Sequence, residues 1–460
     1  MLKIFLGLFL TIVHLFANSS ESSESFPDLT MTWVGISSLF IFVIGYYFIA
    51  AEDKYHVDKA KPALFIGTFM FMLIGLYYVL NDLDINILSN DMNHLILEIA
   101  GIFFFLYVAM TYIETLISMG VFDRLKYNLI SKGYTYRKLF WITGFLAFFI
   151  SPVADNLTTA LILSTVLITI DRNKKEFLVP GAINIVVAAN AGGAWSPFGD
   201  ITTLMVWTAG KGDFTDFFYL FPSAFLGFLV TAILLSSFVP NSKPQFDASK
   251  EKKPELMTGA TVVIALGILT IILAVISHQV FHFPAMWGML FGLALLKLYT
   301  IRIIKKYNSP LNIFHAIAKI ENNTLLFFFG ILAAVGALYF IGWLHLAVVV
   351  YEPDMLGASW ANIAVGFLSA FVDNVPVMSA VLKANPQMGL EQWMLVTLTA
   401  GIGGSLISFG SAAGVGVMGK MAGIYTFASH MKYAWTVFLG YVVSVAIWYF
   451  QYEMLGIKHY

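Results

Sequence analysis

Long apolar segments separated by short polar ones recur along most of this sequence. A helix needs about 20 residues to cross the hydrocarbon core of a bilayer, and eight segments are apolar over roughly that length. They lie near residues 31–50, 61–80, 94–121, 217–239, 257–278, 283–300, 323–345 and 433–453. The pattern predicts an all-α polytopic membrane protein.

Four further apolar regions are interrupted by residues that do not continue a regular helix. Residues 139–170 are broken by SPVADN and residues 359–385 by FVDNVP. Each arm has about 12–16 residues, which is short for a crossing and predicts two re-entrant hairpins. Residues 177–209 contain NAGGAWSPFGD and residues 391–419 contain GIGGSLISFGS. Their Gly and Pro clusters predict whole spans with an unwound centre.

The distribution of charge predicts which loops face the cytoplasm. Lys and Arg outnumber Asp and Glu in residues 123–138, 171–176 and 301–321. In contrast, every charged residue in segments 18–30, 81–93 and 346–358 is Asp or Glu. By the positive-inside rule the first set is cytoplasmic and the second external. If the chain crosses the membrane at each predicted span, every one of these loops lies on its assigned side. This requires the first hairpin to enter from the cytoplasm and the second from outside.

The same order of elements occurs twice, in residues 31–239 and 257–460. Each half consists of three spans, a re-entrant hairpin, a broken span and a final span, and a cytoplasmic linker at 240–256 joins them. Corresponding residues are Ser151 and Ser369, Asp155 and Asp373, Asn156 and Asn374, Gly192 and Gly403, Gly193 and Gly404, Phe198 and Phe409, and Gly199 and Gly410. Inverted-topology repeats with discontinuous helices are typical of secondary transporters with a binding site near the bilayer midplane.

Residues 1–30 allow two interpretations. The segment MLKIFLGLFLTIVHLFA resembles a signal peptide, because its apolar stretch is short for a span, but Leu15-Phe16-Ala17 is a poor cleavage signature. The alternative is a retained short first helix. In both cases a polar external tail follows.

Composition narrows the possible chemistry. The 460 residues are 59% hydrophobic and 12% charged, against roughly 45–50% and about 25% in soluble proteins. A net charge of −1 gives no indication of nucleic-acid binding. The absence of cysteine excludes disulfides, thiolate catalysis and thiolate metal sites.

The polar side chains at the four interruptions predict an ion site. Irregular backbone at membrane depth survives only where it is buried in protein or lines a wet cavity, so the interruptions can converge. Carboxylate, amide and hydroxyl oxygens suit a small hard ion such as Na⁺ or Li⁺ better than a soft metal. We place Na⁺ at Asp155, Asn156, Asp373 and Asn374. The other candidate ligands are Asn190, Asp200, Thr202, Thr203, Ser405, Ser408 and Ser411.

A carboxylate in such a site is also a candidate proton carrier. Desolvation disfavours its charged form, and a bound cation favours that form again. If Na⁺ and H⁺ compete for the same carboxylates, binding of one releases the other, which is the basis of antiport. Asp155, Asp200 and Asp373 are the best candidates, because each lies in a helix break. The structural alternative is that these residues only cap helices.

Four motifs resemble the signature segments of the NhaD-type sodium/proton antiporters, within the ion transporter superfamily. They are SPVADNLTTALIL, NAGGAWSPFGDITTLMVW, SAFVDNVPVMSAV and GGSLISFGSAAGVGVMG, and the similarity covers essentially the chain after about residue 30. The resemblance implies exchange of Na⁺ or Li⁺ for H⁺ at alkaline pH across the inner membrane of a bacterium, and hence sodium extrusion and pH homeostasis. The superfamily architecture implies a homodimer with a fixed scaffold and a moving transport domain.

The resemblance also implies a set of functional polar positions. They correspond to Asp155, Asn156, Asn190, Asp200, Thr202, Thr203, Ser369, Asp373, Asn374, Ser408 and Ser411. The main alternative is a sodium-coupled di- or tricarboxylate symporter, or another anion symporter, of the same superfamily. Against it, the four motifs contain no Lys or Arg, and their Asp-Asn tips add negative charge.

Two further classes fit less well. An intramembrane enzyme is not expected, because no HExxH or GxSxG motif occurs in the apolar regions, and no cofactor is expected either. A channel needs a continuous pore, whereas two hairpins that enter from opposite faces suit alternating access.

Overall fold

The computed structural model describes residues 27–50, 52–55, 57–244, 253–307 and 313–456, and every regular element in these ranges is helical. The candidate signal segment lies outside the described residues. The α-helices up to residue 244 are α1 (Trp33–Ala50), α2 (Glu52–Tyr55), α3 (Ala60–Leu80), α4 (Ile85–Ser118), α5 (Val121–Ile130), α6 (Tyr136–Ala154), α7 (Asn156–Ile170), α8 (Lys175–Gly193), α9 (Ile201–Thr208) and α10 (Phe221–Ser236).

Eleven α-helices follow residue 253 in the described ranges. They are α11 (Ala260–Val275), α12 (Met286–Tyr307), α13 (Ile313–Lys319), α14 (Asn322–Ile341), α15 (His345–Val349), α16 (Gly357–Phe371), α17 (Asn374–Ala384), α18 (Leu390–Gly403), α19 (Ala412–Lys420), α20 (Phe427–Met431) and α21 (Ala434–Tyr449). A 3₁₀ turn at Asp216–Leu220 precedes α10, and π turns at Ile276–Val280 and Phe450–Met454 follow α11 and α21.

The polytopic helical architecture agrees with the sequence prediction. Within the part of the chain that the structure describes, nine helices are long and apolar enough to cross a membrane. Their burial differs widely: 94% of the apolar window of Lys175–Gly193 is buried inside the protein, against 28% for Ala260–Val280. The first of these helices is therefore surrounded by protein, and the second offers most of its surface to the surroundings.

The helices differ from the sequence prediction in three respects. Helix α4 has 34 residues and begins at Ile85 rather than near residue 94, because hydropathy detects only the apolar part of a helix whose outer turns are polar. Helix α6 has 19 residues, more than the 12–16 expected for a hairpin arm. The short helices α5 and α13 lie in segments that the sequence assigned to loops.

Contacts divide the chain into two compact units. The first contains the described residues up to Ala100, together with Asn322–Gly357 and Ser379–Pro386. Helices α3 and α14 pack together in it, with Gly67 next to the backbone of Gly330. Because a side chain on either glycine would meet the backbone of the other helix, these glycines allow a close helix crossing, as is common between membrane helices.

The second unit consists of Gly101–Glu321, Ala358–Met378 and Gln387–Tyr460. In it, α8 packs against α6 and α7, and α10 packs against α21. The last pair approaches closely at Gly227 and Gly440, where an added side chain on one would meet the carbonyl oxygen of the other. All four interruptions have their break points in this unit.

The helices break at all four places that the sequence indicated. A single residue separates α6 from α7, and two residues separate α16 from α17. Seven residues, 194–200, connect α8 to α9, and eight, 404–411, connect α18 to α19. The polar residues of the four motifs therefore lie at helix ends, where backbone N–H and carbonyl groups have no partner in the helix itself.

Candidate ion-binding site

Asp155 forms the break between α6 and α7 and has an unusual backbone conformation. Its φ of 56° and ψ of 161° lie in a region that residues with a side chain rarely adopt. The carboxylate accepts hydrogen bonds from the Thr158 amide at 2.8 Å and from the Thr158 hydroxyl at 2.7 Å. Asp155 therefore caps the start of α7, which compensates for the local strain.

Asp200 is the carboxylate on which the other interruptions converge. It precedes α9, and its Oδ1 accepts a hydrogen bond from the Thr202 amide at 3.0 Å. Its Oδ2 accepts from Asn156 Nδ2 at 2.6 Å and from Asn374 Nδ2 at 3.0 Å. One asparagine begins α7 and the other begins α17, so this carboxylate joins the first residues of the two helices that follow the Asp breaks.

Asn190 extends this arrangement to the second broken helix. Its Oδ1 accepts a hydrogen bond from Asn156 Nδ2 at 3.1 Å. Its Nδ2 donates to Ser405 Oγ at 2.8 Å and to Ser411 Oγ at 2.9 Å. Ser411 also accepts from the Gly414 amide at 3.2 Å and so caps α19. One amide side chain therefore connects its own interruption to two of the other three.

We call these connected side chains the central polar cluster. Its members are all buried, each with less than a tenth of its surface exposed: Asn156, Asn190, Asp200, Asn374, Ser405 and Ser411. The described hydrogen bonds of Asp200 come from neutral amide groups and not from a lysine or arginine. Because a buried carboxylate is normally neutralised by a cation or a proton, this cluster is suited to binding either.

The remaining candidate residues lie at the same breaks with different contacts. Thr203 donates to the carbonyl oxygens of Ser196 and Asp200, at 2.8 and 2.7 Å. Thr202 is fully buried beside Asp200. Ser369 donates to the Ala400 carbonyl at 2.7 Å.

Asp373 and Ser408 complete the candidate set. Asp373 accepts a hydrogen bond from the Val375 amide at 3.4 Å. Among the described residues, the buried hydroxyl of Ser408 has no hydrogen-bond partner, so it is available to a ligand. The two asparagines predicted as Na⁺ ligands thus meet at Asp200, whereas the described hydrogen bonds of Asp155 are to Thr158.

Two further residues contribute to the site architecture although sequence reasoning did not name them as site residues. Thr158 supplies both hydrogen bonds to Asp155. Ser151 donates to the Ala189 carbonyl at 2.6 Å and ties α6 to α8. The sequence carried a signal for Thr158, because it lies three residues after an Asp at a predicted helix break, the spacing of an N-cap contact. Ser151 matched Ser369 in the repeat, but its partner was not evident.

Comparison with known proteins agrees with the architecture. The family model described as "Citrate transporter" matches residues 39–401. The Na(+)/H(+) antiporter NhaD of Alkalimonas amylolytica is 41% identical over 94% of this chain and 94% of its own length. The NhaD protein of Vibrio cholerae serotype O1 is also 41% identical, over 96% of both chains. Sodium/proton antiporter 1 of Arabidopsis thaliana is 29% identical over 90% of this chain and 73% of its own length.

These relatives are named as transporters, which supports a transporter rather than an enzyme. The chain belongs to the NhaD family of sodium/proton antiporters, within the group that the citrate transporter model describes.

Proposed function

We propose that this protein exchanges Na⁺ for H⁺ across the inner membrane of a bacterium and accepts Li⁺ in place of Na⁺. The NhaD relatives from bacteria, which carry the name Na(+)/H(+) antiporter, support the exchange. The nine apolar helices of the described residues support a multi-pass membrane location. Sodium extrusion and pH homeostasis are the physiological roles that this activity would serve.

The observation that carries the proposal is the carboxylate of Asp200 in the central polar cluster. Amide groups of Asn156 and Asn374 reach it from two different helix starts. If each amide turns over, its Oδ1 replaces its Nδ2 and offers an oxygen to a cation. Together with Ser411 and Ser408, these groups can form the all-oxygen shell that a hard cation prefers.

Competition between the two ions follows from the position of this carboxylate. A carboxyl group held away from water retains a proton more readily, and a bound cation favours its charged form. The Asp200 carboxylate therefore carries a proton or a sodium ion but not both, and this exclusion couples the two fluxes. We assign Asp155 and Asp373 as further carboxylates that share the exchange, because each lies next to an asparagine that contacts Asp200.

The transport mechanism we propose is alternating access between two inverted repeats. Equivalent contacts in the two halves support the repeat. Ser151 donates to the Ala189 carbonyl, and its counterpart Ser369 donates to the Ala400 carbonyl. The pairs α6–α7 and α16–α17 would then be re-entrant hairpins that approach the cluster from opposite faces, with the protein as a homodimer.

Sodium-coupled transport of a carboxylate is the second candidate, and the description of the matching family model favours it. The geometry of the cluster argues against it. A substrate carboxylate would approach Asp200, and the described partners of Asp200 include no lysine or arginine that would offset the repulsion. The ligand set therefore suits a cation as the only cargo.

Proton movement in everted membrane vesicles tests the proposal. Addition of Na⁺ or Li⁺ to vesicles with a preformed proton gradient is expected to collapse the gradient, and addition of K⁺ serves as the ionic-strength control. A second set of vesicles is tested for uptake of radiolabelled citrate in the presence of Na⁺. Citrate uptake without any Na⁺-induced proton movement would replace antiport with anion symport.

A further inference from the structure

A cavity of about 320 Å³ lies in the second compact unit, outside the central polar cluster. Its charged lining consists of three carboxylates and two lysines: Glu114, Asp123, Glu321, Lys126 and Lys420. The remaining wall is mainly aliphatic. The volume is well above the ~30 Å³ that one water molecule occupies in the liquid, so a partly hydrated cation can enter it.

The charged residues of this cavity come from the side that the charge distribution predicts to be cytoplasmic. Asp123 and Lys126 lie in α5, which belongs to a segment rich in lysine and arginine. Glu321 ends a second such segment. Lys420 is the last residue of α19. Asp123 and Lys420 are exposed, whereas Glu114 in α4 is half-buried. The charged lining therefore extends from the exposed surface toward the interior.

The inner wall of the cavity is one face of α7. Leu157, Leu161 and Thr165 line it and are half-buried, whereas Leu163 on another face of the helix is fully buried. Helix α19 approaches this wall at Gly416, where an added Cβ would lie 2.6 Å from Leu157 Cδ1. The face of α7 is therefore held in place by close packing against a glycine.

Thr158 connects the cavity to the helix break. It is part of the cavity lining, and its hydroxyl donates to Asp155 Oδ2 at 2.7 Å. Its amide donates to Asp155 Oδ1 at 2.8 Å. A cation that reaches the inner end of the cavity is thus one side chain away from the Asp155 carboxylate, which is followed in the chain by Asn156 of the central polar cluster.

We propose that this cavity is the cytoplasmic passage for the transported cation, with Glu114 as the residue that concentrates cations and Thr158 as the positioning residue at its inner end. The inference rests on the proposed cation exchange. Carboxylates on a cavity with low-dielectric walls raise the local cation concentration. The half-buried Glu114 is screened by salt less than the exposed Asp123.

The absence of native cysteine allows a direct accessibility test. Thr165→Cys places a thiol in the cavity, and Leu163→Cys is the matched buried control on the same helix. Each variant is treated with a cationic (trimethylammonium) or an anionic (sulfonate) membrane-impermeant methanethiosulfonate. We expect Thr165→Cys to react in everted vesicles, faster with the cation, and not in right-side-out vesicles. Reaction of Thr165→Cys in right-side-out vesicles, or no reaction in either kind of vesicle, would overturn the inference.

The charge assignment is tested on the same background. Glu114→Gln is expected to lower the ratio of cationic to anionic labelling rates at Thr165→Cys several-fold. Glu176→Gln removes an exposed carboxylate that does not line the cavity, and we expect the ratio to remain unchanged. Equal effects of the two substitutions would show that Glu114 does not set the cavity potential. Labelling does not require transport, so this inference and the proposed antiport can fail separately.

The role of Thr158 is tested by transport kinetics in everted vesicles, where added Na⁺ reaches the cytoplasmic face. Thr158→Val removes the hydroxyl but keeps the shape of the side chain and the hydrogen bond from the backbone amide of residue 158 to Asp155. We expect it to raise the KM for Na⁺ several-fold with kcat little changed, and Thr158→Ser to restore the original KM. Thr169→Val is the control, because the Thr169 hydroxyl donates only to the Thr165 carbonyl of its own helix. A loss of kcat alone, or no rescue by serine, would reject the positioning role.

Discussion

The two broken helices have similar backbone contacts but different residues at the start of their second segments. Asp200 precedes α9 and accepts a hydrogen bond from the Thr202 amide, whereas Ser411 precedes α19 and accepts one from the Gly414 amide. Each follows a glycine that lies close to another glycine of the same interruption. Aspartate and serine are about equally good N-caps. Capping alone therefore does not require a carboxylate at residue 200.

Helix capping and ion binding make different demands on the residue at these two positions. Ser411 shows that a neutral hydroxyl is sufficient to start a helix in this setting. The charge of Asp200 is an addition, and the two asparagine amides are directed at it. A buried charge without a structural need is typical of a functional site in a membrane protein. The two broken helices thus share this backbone arrangement, and the one that precedes α9 supplies the buried carboxylate of the cluster.

The largest effect is expected when Asp200 is replaced by serine, the residue that precedes α19. Asp200→Ser retains a cap for α9 and removes the charge. Because the substitution removes the carboxylate for which Na⁺ and H⁺ are proposed to compete, we expect at least a roughly 100-fold loss of Na⁺-dependent proton movement, which corresponds to about 2.7 kcal/mol. The protein should remain in the membrane. Asp213→Asn, which removes an exposed carboxylate, is the control.

Substantial exchange by Asp200→Ser at normal Na⁺ concentrations would contradict the assignment of Asp200. The exchange would then have to depend on Asp155 or Asp373. Measuring both variants in the same vesicles, with the amount of protein determined by immunoblot, distinguishes loss of transport from loss of protein.

The two asparagines allow a finer comparison between the halves. Both donate to Asp200, but Asn156 also donates to Asn190. We expect Asn374→Ala to raise the half-saturating Na⁺ concentration about tenfold, or about 1.4 kcal/mol, since it removes an amide oxygen proposed as a cation ligand. Asn156→Ala should raise it further. The measurement is Na⁺ titration of proton movement in everted vesicles, and the reverse order would contradict the contact pattern.

Substitutions of Asp155 separate capping from charge. Asn is as good an N-cap as Asp and has nearly the same size and shape, so Asp155→Asn should preserve thermal stability. Asp155→Ala loses both hydrogen bonds from Thr158 and should lower the free energy of unfolding by about 1–2 kcal/mol. Thermal unfolding in detergent, followed by size-exclusion chromatography, compares the two. Equal stability of both variants would show that the cap contributes little.

Transport by these variants gives the complementary information. If Asp155 shares the exchange, Asp155→Asn is stable but loses proton movement. If Asp155 only caps α7, Asp155→Asn retains both stability and transport. The structural alternative considered for this residue from sequence is thus tested by one substitution with two measurements.

The sequence was sufficient to predict the helix breaks and to name all six members of the central polar cluster as candidates. Gly, Pro and Asp residues inside apolar runs have local consequences, because they remove helical hydrogen bonds or supply caps. The position of Asp200 as the common acceptor was not predictable in this way. It depends on contacts between residues far apart in sequence, such as Asn374 with Asp200. The direction of the Asp155 carboxylate depends on the neighbouring Thr158, whose contact competes with longer-range ones.

Helix lengths show a second limit of sequence reasoning. The apolar pattern placed the third span near residues 94–121, but α4 begins nine residues earlier, at Ile85. At about 1.5 Å per residue, its 34 residues extend about 51 Å, beyond a hydrocarbon core of about 30 Å. Polar residues such as Asn86 and Asp91 do not stop a helix once its turns are formed. Hydropathy therefore marks the membrane-spanning part of a helix and not its ends.

The smallest effects are expected at two buried serines, whose substitution tests whether equivalent backbone contacts in the two proposed repeats are equally strong. Ser151 and Ser369 are both fully buried, and each donates to a backbone carbonyl of the neighbouring broken helix, at 2.6 and 2.7 Å. We expect Ser151→Ala and Ser369→Ala to lower the free energy of unfolding by a similar amount, about 1 kcal/mol each. Ser237→Ala, at an exposed hydroxyl just after α10 that donates to the Leu234 carbonyl, should have almost no effect.

Thermal unfolding of the three variants in detergent provides the measurement. Similar losses for the two buried serines mean that the repeat preserves the energy of this contact as well as its geometry. A much larger loss at Ser151 would indicate that the half containing Asp200 needs a more rigid backbone, because a buried charge tolerates less displacement of its hydrogen-bond donors than a buried hydroxyl does. In that case the framework itself, and not only the carboxylate, differs between the halves.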